Sequence, residues 1–179
     1  MRRWIAVAGL ILSLAVVNFI IVSKEQLLLN GEEIYFALAP VDPRSLMQGD
    51  YMRLNYAITN DIYQAIKIRE PQQPGMPKRD SDGVAVISVD KKNIAQFIRI
   101  NDDSPLAANE WKITYRVRKN RLYFGVNSYF FQEGDAKIYE EARFAKYRVS
   151  KDSKNWLLAS LHNQNLTLIS GREKQQQTE

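Results

Sequence analysis

From Trp4 to Val22 this chain is apolar, broken only by Gly9, Ser13 and Asn18. The stretch from Ile5 is about 18 residues, which as a helix at ~1.5 Å per residue spans roughly 27 Å, close to the hydrocarbon thickness of a bilayer. It predicts a single membrane-crossing helix, with residues 1–23 as an N-terminal anchor. A cleaved signal peptide is the competing reading, but its apolar core is usually ~7–15 residues, with small residues before the cut. Ile21 and Ser23 match that pattern poorly. Arg2 and Arg3 precede the run, whereas Lys24 after it is followed at once by Glu25. This asymmetry places the N-terminus in the cytoplasm. The expectation is a membrane protein anchored through residues 4–22. Residues 24–170 then form an exported domain, periplasmic if the source is a Gram-negative bacterium, and 171–179 a disordered tail. Gly9 and Ser13 lie four residues apart, a small-residue face that lets another helix approach. Asn18 either bonds a partner helix or rests as an amide at the lipid interface.

The side-chain inventory removes several chemistries. The chain has 179 residues and no cysteine, so thiolate metal sites, catalytic thiols and disulfides are excluded. With His162 the sole histidine, no site needing two imidazoles can be built in one subunit. Its position at the end of a strand before Asn163 points to a surface or edge residue rather than a base. No metal and no cofactor are expected. The formal net charge is +5, falling to +3 without Arg2 and Arg3, too mild to require an anionic partner; nucleic acid is not expected in that compartment.

Beyond Lys24 the pattern changes to short segments with period-two alternation and aromatic or β-branched residues, which predicts strands. Glu33 to Ala39 runs into Pro40-Val41-Asp42-Pro43 and ends there. Tyr51 to Thr59 puts Met52, Leu54, Tyr56 and Ile58 on one face, the core face, and Tyr51, Arg53, Asn55 and Ala57 on the other. Residues 62–68 are either a short helix or an extended segment, and Arg69 to Gly83, with three prolines and two glycines, is an exposed loop. Three hairpins follow. They turn at Asp90–Asn93 between 84–89 and 95–100, at Lys119–Arg121 between 111–118 and 122–129, and at Lys151–Lys154 between 144–150 and 155–162. Leu166 to Ile169 is a last strand. Glu133 to Ala145 is rich in helix formers, with Asp135 as a plausible N-cap and Ile138 and Ala142 stacked at i, i+4. The expected fold class is α+β: about eight short strands, predominantly antiparallel, with one packed helix, preceded by a single transmembrane helix.

Residues 49–56 read Gly49-Asp50-Tyr51-Met52-Arg53-Leu54-Asn55-Tyr56. This octet resembles the signature of the GDYXXLXY family, and the stretches Pro40–Gln48 and Tyr129–Gly134 are also similar to that family's. The resemblance covers most of the exported domain. It implies a small bacterial membrane-anchored protein of uncharacterised activity, often encoded beside multi-pass membrane proteins, and it carries over no catalytic residues. Physically, Gly49 allows φ > 0 in a turn and the Asp50 carboxylate can accept from nearby backbone amides. Tyr51 then opens the strand, and Leu54 and Tyr56 pack inward. The functional alternative is a polar constellation of Asp42, Arg44 and Asp50 at the sheet's end.

Catalytic candidates are few. Ser45, in Ser-Leu-Met-Gln-Gly-Asp, faintly resembles the nucleophile region of type I signal peptidases, which use a Ser–Lys dyad. Lys67, between Ile66 and Ile68, would have to be buried to act as base, since a lysine loses its proton near neutral pH only when desolvated; Lys91, in a turn, does not qualify. Glu133 and Glu140 with their acidic neighbours offer paired carboxylates for glycoside chemistry, although acids near a helix N-terminus are stabilising there anyway. Tyr123, Phe124, Tyr129, Phe130 and Phe131 are read as mostly core, with the outer rings free to form a docking patch. Arg116, Arg118, Lys119 and Arg121 form a basic hairpin. The functional expectation is a non-enzymatic accessory or interaction protein working with a multi-pass membrane protein. The alternatives are an envelope hydrolase or a glycan-binding module.

Overall fold

A computed structural model describes residues 2–39, 51–69, 80–119 and 121–171. The first element is the helix α1 (Arg2–Asn30). Its part from Gly9 to Asn30 is long and apolar enough to cross a membrane, and residues such as Leu10, Leu12 and Phe19 project away from the rest of the protein. Two polar residues within its apolar run, Ser13 and Asn18, are satisfied by the helix itself. Ser13 Oγ donates to the Leu10 carbonyl and Asn18 Nδ2 to the Leu14 carbonyl, both at 2.8 Å. Such back-bonding removes the penalty of an unpaired amide among apolar neighbours.

Ten strands and two helices follow among the described residues. In chain order they are β1 (Glu32–Ala37), β2 (Tyr51–Arg53), α2 (Ile58–Arg69), β3 (Ser81–Val89), β4 (Ala95–Ile100) and β5 (Glu110–Arg118). Next come β6 (Arg121–Phe124), β7 (Ser128–Phe130), α3 (Ala136–Tyr139), β8 (Phe144–Val149), β9 (Trp156–His162) and β10 (Leu168–Ile169). They form one sheet in the order β1-β8-β9-β10, a second in the order β4-β3-β5-β6, and the ribbon β2-β7, with every ladder antiparallel. A parallel bridge between Tyr35 and Ile94, with Tyr35 N–H donating to the Asn93 carbonyl at 2.7 Å, joins the edges of the two larger sheets. The fold is thus α+β, mostly antiparallel strands in curled sheets.

The core sits where the sheets converge. Phe36 of β1 meets the rings of Tyr56, Phe124, Tyr147 and Trp156 at centroid separations between 4.7 and 6.3 Å. Edge-on and tilted packing of this kind adds to the burial of each ring. The alternation expected for the octet strand holds: Met52, Leu54, Tyr56 and Ile58 are all buried. So does that of β5, where Ile113, Tyr115 and Val117 face the core.

Several expectations are corrected. The strand expected over 51–59 pairs only through Arg53. Leu54 N–H still reaches the Asn127 carbonyl, Tyr56 forms an isolated bridge to Leu38, and the chain then turns into α2. That helix carries an apolar stripe of Ile58, Ile62 and Ile66, an acid in its first turn (Asp61) and bases in its last (Lys67, Arg69), which suits both its packing and its dipole. It, and not 133–145, is the packed helix. Residues 136–139 make only one turn, and Asp135 forms no side-chain cap. Further on, the Arg143 backbone is held between strands, its N–H on the His162 carbonyl and its carbonyl on Leu38 N–H, both at 2.8 Å. Sheet pairing there competes with helix propensity and wins.

The second hairpin is shorter than expected. Gly125 adopts φ +59° after β6, and the chain leaves for the ribbon with β2. The strand expected from Val84 begins at Ser81, so Gly83 lies inside it opposite Tyr115. The hairpins at 90–93 and 151–154 form as expected. In the first, Asp90 Oδ1 accepts from the N–H groups of Lys92 and Ile94, both at 2.8 Å.

Candidate functional site

The octet's described part lends Arg53–Tyr56 to the wall of an open cleft of about 630 Å³. Four segments frame it. The octet contributes Arg53 and Asn55, α2 contributes Thr59, Asn60 and Tyr63, β6 contributes Arg121 and Tyr123, and the link into β7 contributes Asn127 and Ser128. The floor is Leu54, Tyr56, Leu122 and Phe124. Pairing of β2 with β7, in which Arg53 stands opposite Ser128, brings the octet to the end of the basic hairpin.

Beneath the floor lies a closed polar network. Tyr56 Oη donates to the Val126 carbonyl at 2.6 Å, while Tyr147 Oη accepts from Val126 N–H at 2.9 Å and shares a 2.6 Å hydrogen bond with Tyr56 Oη. Burial pushes both phenols above the ordinary tyrosine value, so they act as fixed neutral groups and not as acids. Above the floor, by contrast, Arg53 and Arg121 have no carboxylate partner among the described residues, and no acidic side chain there lines the cleft.

Asp42, Arg44, Ser45, Gly49 and Asp50 lie outside the described residues. Lys67 is exposed on α2, with its ammonium 4.6 Å from the centroid of Tyr63, so it lacks the burial that a lysine base requires. Glu133 and Glu140 are both exposed, on either side of α3, and neither lines the cavity that Asp135 and Tyr139 border. His162 is not a surface residue: it is 4% exposed in β9, between β8 and β10. Its Nδ1 faces the Leu166 carbonyl at 2.9 Å, which only accepts, so Nδ1 carries the proton and Nε2 accepts from Ser160 Oγ at 3.0 Å. Burial holds its pKa below the ordinary histidine value, which suits a structural imidazole. Of the motif residues, Tyr51 is half-buried with its ring 5.6 Å from that of Phe130, and Leu54 and Tyr56 are core. Phe130 itself is 75% exposed.

The cleft residues Asn60, Asn127 and Ser128 carry no local signal in the sequence. Arg53 and Asn55 fall on the outer face by alternation, and Arg121 belongs to the basic hairpin, but only the long-range β2–β7 register unites them.

A second feature stands at the opposite end of β1. The helix α1 and strand β1 are joined by Gly31 alone. Gly31 N–H closes on the Leu27 carbonyl at 2.9 Å, and the Gly31 carbonyl accepts from Arg148 Nη1 at 2.8 Å. Glu33 accepts from Arg148 at 2.7 Å and from Lys146 at 3.3 Å. Leu27 is buried against the sheet, and a Cβ at Gly31 would meet the Leu27 carbonyl at 2.5 Å. The helix end is therefore capped and packed by β8, with no flexible linker between.

A family model described as GDYXXLXY protein matches residues 13–159. No curated protein and no solved structure matches the chain.

Proposed function

The chain belongs to the GDYXXLXY family, and on that premise we propose that it is a single-pass protein of the bacterial inner membrane, N-terminus inside. In this reading it is a non-enzymatic accessory subunit that holds a periplasmic β-rich domain against a multi-pass membrane partner. Arg2 and Arg3 ahead of the apolar run support the orientation, and Gly9 with Ser13 supplies a face for close helix approach. The observation that carries the proposal is the junction at Gly31. A tethered enzyme that acts on diffusing substrates works on a flexible linker, whereas a subunit that must meet an embedded partner gains from a fixed height and heading. Here Arg148, Glu33 and Leu27 fix both. The hydrolase alternatives find no support in the exposed Lys67, Glu133 and Glu140.

The test is affinity purification of the full-length protein from its native membranes in mild detergent. Beside it runs a variant with a short Gly-Ser insertion between Asn30 and Gly31. A stoichiometric multi-pass protein that accompanies the natural chain and is lost from the folded insertion variant is the expected result. A partner retained by the variant removes the junction from the argument. No partner at all removes the accessory reading.

A further inference from the structure

We propose that the cleft beside the octet is a binding site for an acidic saccharide, one whose hydroxyl groups accompany a carboxylate or phosphate. Three observations converge. First, the cavity of about 630 Å³ lies within the ~300–1,000 Å³ range typical of small-ligand sites. Second, Arg53 and Arg121 reach it from different segments of the chain, and neither meets a carboxylate among the described residues. Elsewhere in the fold Arg99 meets Glu110 and Arg118 meets Asp82. Two like charges converging on one cavity repel one another, and an anion between them converts that repulsion into charge-assisted hydrogen bonds. The planar guanidinium fork suits the two oxygens of a carboxylate or phosphate.

Third, the remaining walls suit hydroxyl groups better than a peptide. Asn55 and Asn127 each present both a donor and an acceptor, matching the alternating demands of adjacent sugar hydroxyls. Tyr123, half-buried in β6, offers a ring that no other described aromatic covers, unlike its neighbour Phe124, which is locked among Phe36, Tyr56, Tyr147 and Trp156. A protein partner would instead seek deep apolar anchor pockets, and the apolar floor here is already engaged in the core.

This inference is independent of the accessory role and of the junction that carries it. The experiment is isothermal titration of the detergent-solubilised full-length chain with pentagalacturonate and with glucose 6-phosphate. The methyl ester of the same pentamer, inorganic phosphate and hexaglutamate serve as comparisons. Saturable binding is expected for at least one acidic saccharide, with whichever acid binds more tightly naming the acidic group. The neutral ester should bind at least about tenfold more weakly, and Arg53→Gln and Arg121→Gln should each weaken binding by about tenfold. Lys92→Gln, in the turn beside β4 at the far edge of that sheet from β6, should leave it unchanged. Both arginines are exposed, so the variants should keep the natural unfolding temperature. Absence of saturable binding overturns the proposal, and so does an ester that binds as well as the acid. Equal affinity for inorganic phosphate reduces the site to a bare anion site. Equal affinity for hexaglutamate transfers it to acidic peptides, and a loss in Lys92→Gln matching that of the arginine variants shows that only net charge matters.

Discussion

Tyr56 of the octet and Tyr147 of β8 share a hydrogen bond of 2.6 Å across 91 residues of sequence. The Val126 backbone completes the arrangement, giving its N–H to one phenol and its carbonyl to the other. The octet's last residue is therefore a structural latch that ties the strand leading into α2 to the sheet carrying β8. Replacing Tyr56 by Phe leaves the Val126 carbonyl without that donor in the interior. The expected loss is about 1–3 kcal/mol of stability, read by chemical denaturation. Both phenols are held above the ordinary tyrosine value by burial. Their contribution is thus complete below about pH 10, the ordinary tyrosine value, and declines as pH rises past it, because the unfolded chain ionises first. In Tyr56→Phe that alkaline decline should be shallower.

Gly125 and Gly134 allow two kinds of constraint to be separated. Both have positive φ, +59° and +89°, but a Cβ at Gly125 would collide with the Tyr147 hydroxyl whereas one at Gly134 meets open space. Gly134→Ala should lose about 1–2 kcal/mol from backbone strain alone. Gly125→Ala should lose a further ~1–3 kcal/mol, because the latch must shift to admit the methyl group. Thermal unfolding of the two variants side by side checks the difference.

Arg148 is the hinge pin of the junction, bonded at once to Gly31 and Glu33. Arg148→Ala should cost about 1–2 kcal/mol and should speed hydrogen exchange at Gly31 N–H, leaving the core strands β3 and β5 protected. Exchange accelerating equally in both places would assign Arg148 to global stability and not to the joint.

His162 is neutral in the folded protein, with a pKa held below its ordinary value by burial. As pH falls through about 6.5, the unfolded chain binds a proton that the folded one refuses. Stability attributable to this residue is therefore present above that pH and declines below it, until the folded pKa is reached. Denaturation midpoints measured from pH 7.5 to 5 should fall, and His162→Gln should flatten the fall while lowering stability at neutral pH, since the Ser160 and Leu166 contacts are disturbed.

The absence of cysteine offers a clean test of orientation. Lys92→Cys, in an exposed turn, should react with a membrane-impermeant maleimide in spheroplasts, and a cysteine inserted after Met1 should react only once the membrane is opened. The reverse pattern would invert the proposed topology.

Much of the fold was legible because local chemistry and tertiary structure agree. The turns at Asp90–Asn93 and Lys151–Lys154 combine turn-forming residues with alternating flanks, and the core face of the octet follows from period two. The 133–145 segment misled because its helix formers are real, yet the Arg143 backbone pairs with Leu38 and His162, a demand made by residues remote in sequence. Ile58–Arg69 was obscured for the opposite reason: β-branched residues at Ile58, Thr59 and Ile62 favour strand locally, and only packing of the Ile58–Ile62–Ile66 stripe favours helix. The cleft was least legible. Arg53 and Arg121 are ordinary surface charges in sequence, and their convergence depends on the ribbon register that sets Arg53 opposite Ser128.

With α1 in a bilayer as proposed, the single-residue joint at Gly31 makes helix and sheet one lever. An apolar helix longer than the local hydrocarbon thickness accommodates by tilting. Lacking a swivel, the joint transmits that tilt to the whole sheet, so the cleft mouth sweeps sideways and changes its bearing toward neighbouring proteins. Lipid composition then sets the angle at which the domain greets its surroundings, and the same chain in a thicker membrane presents a different flank.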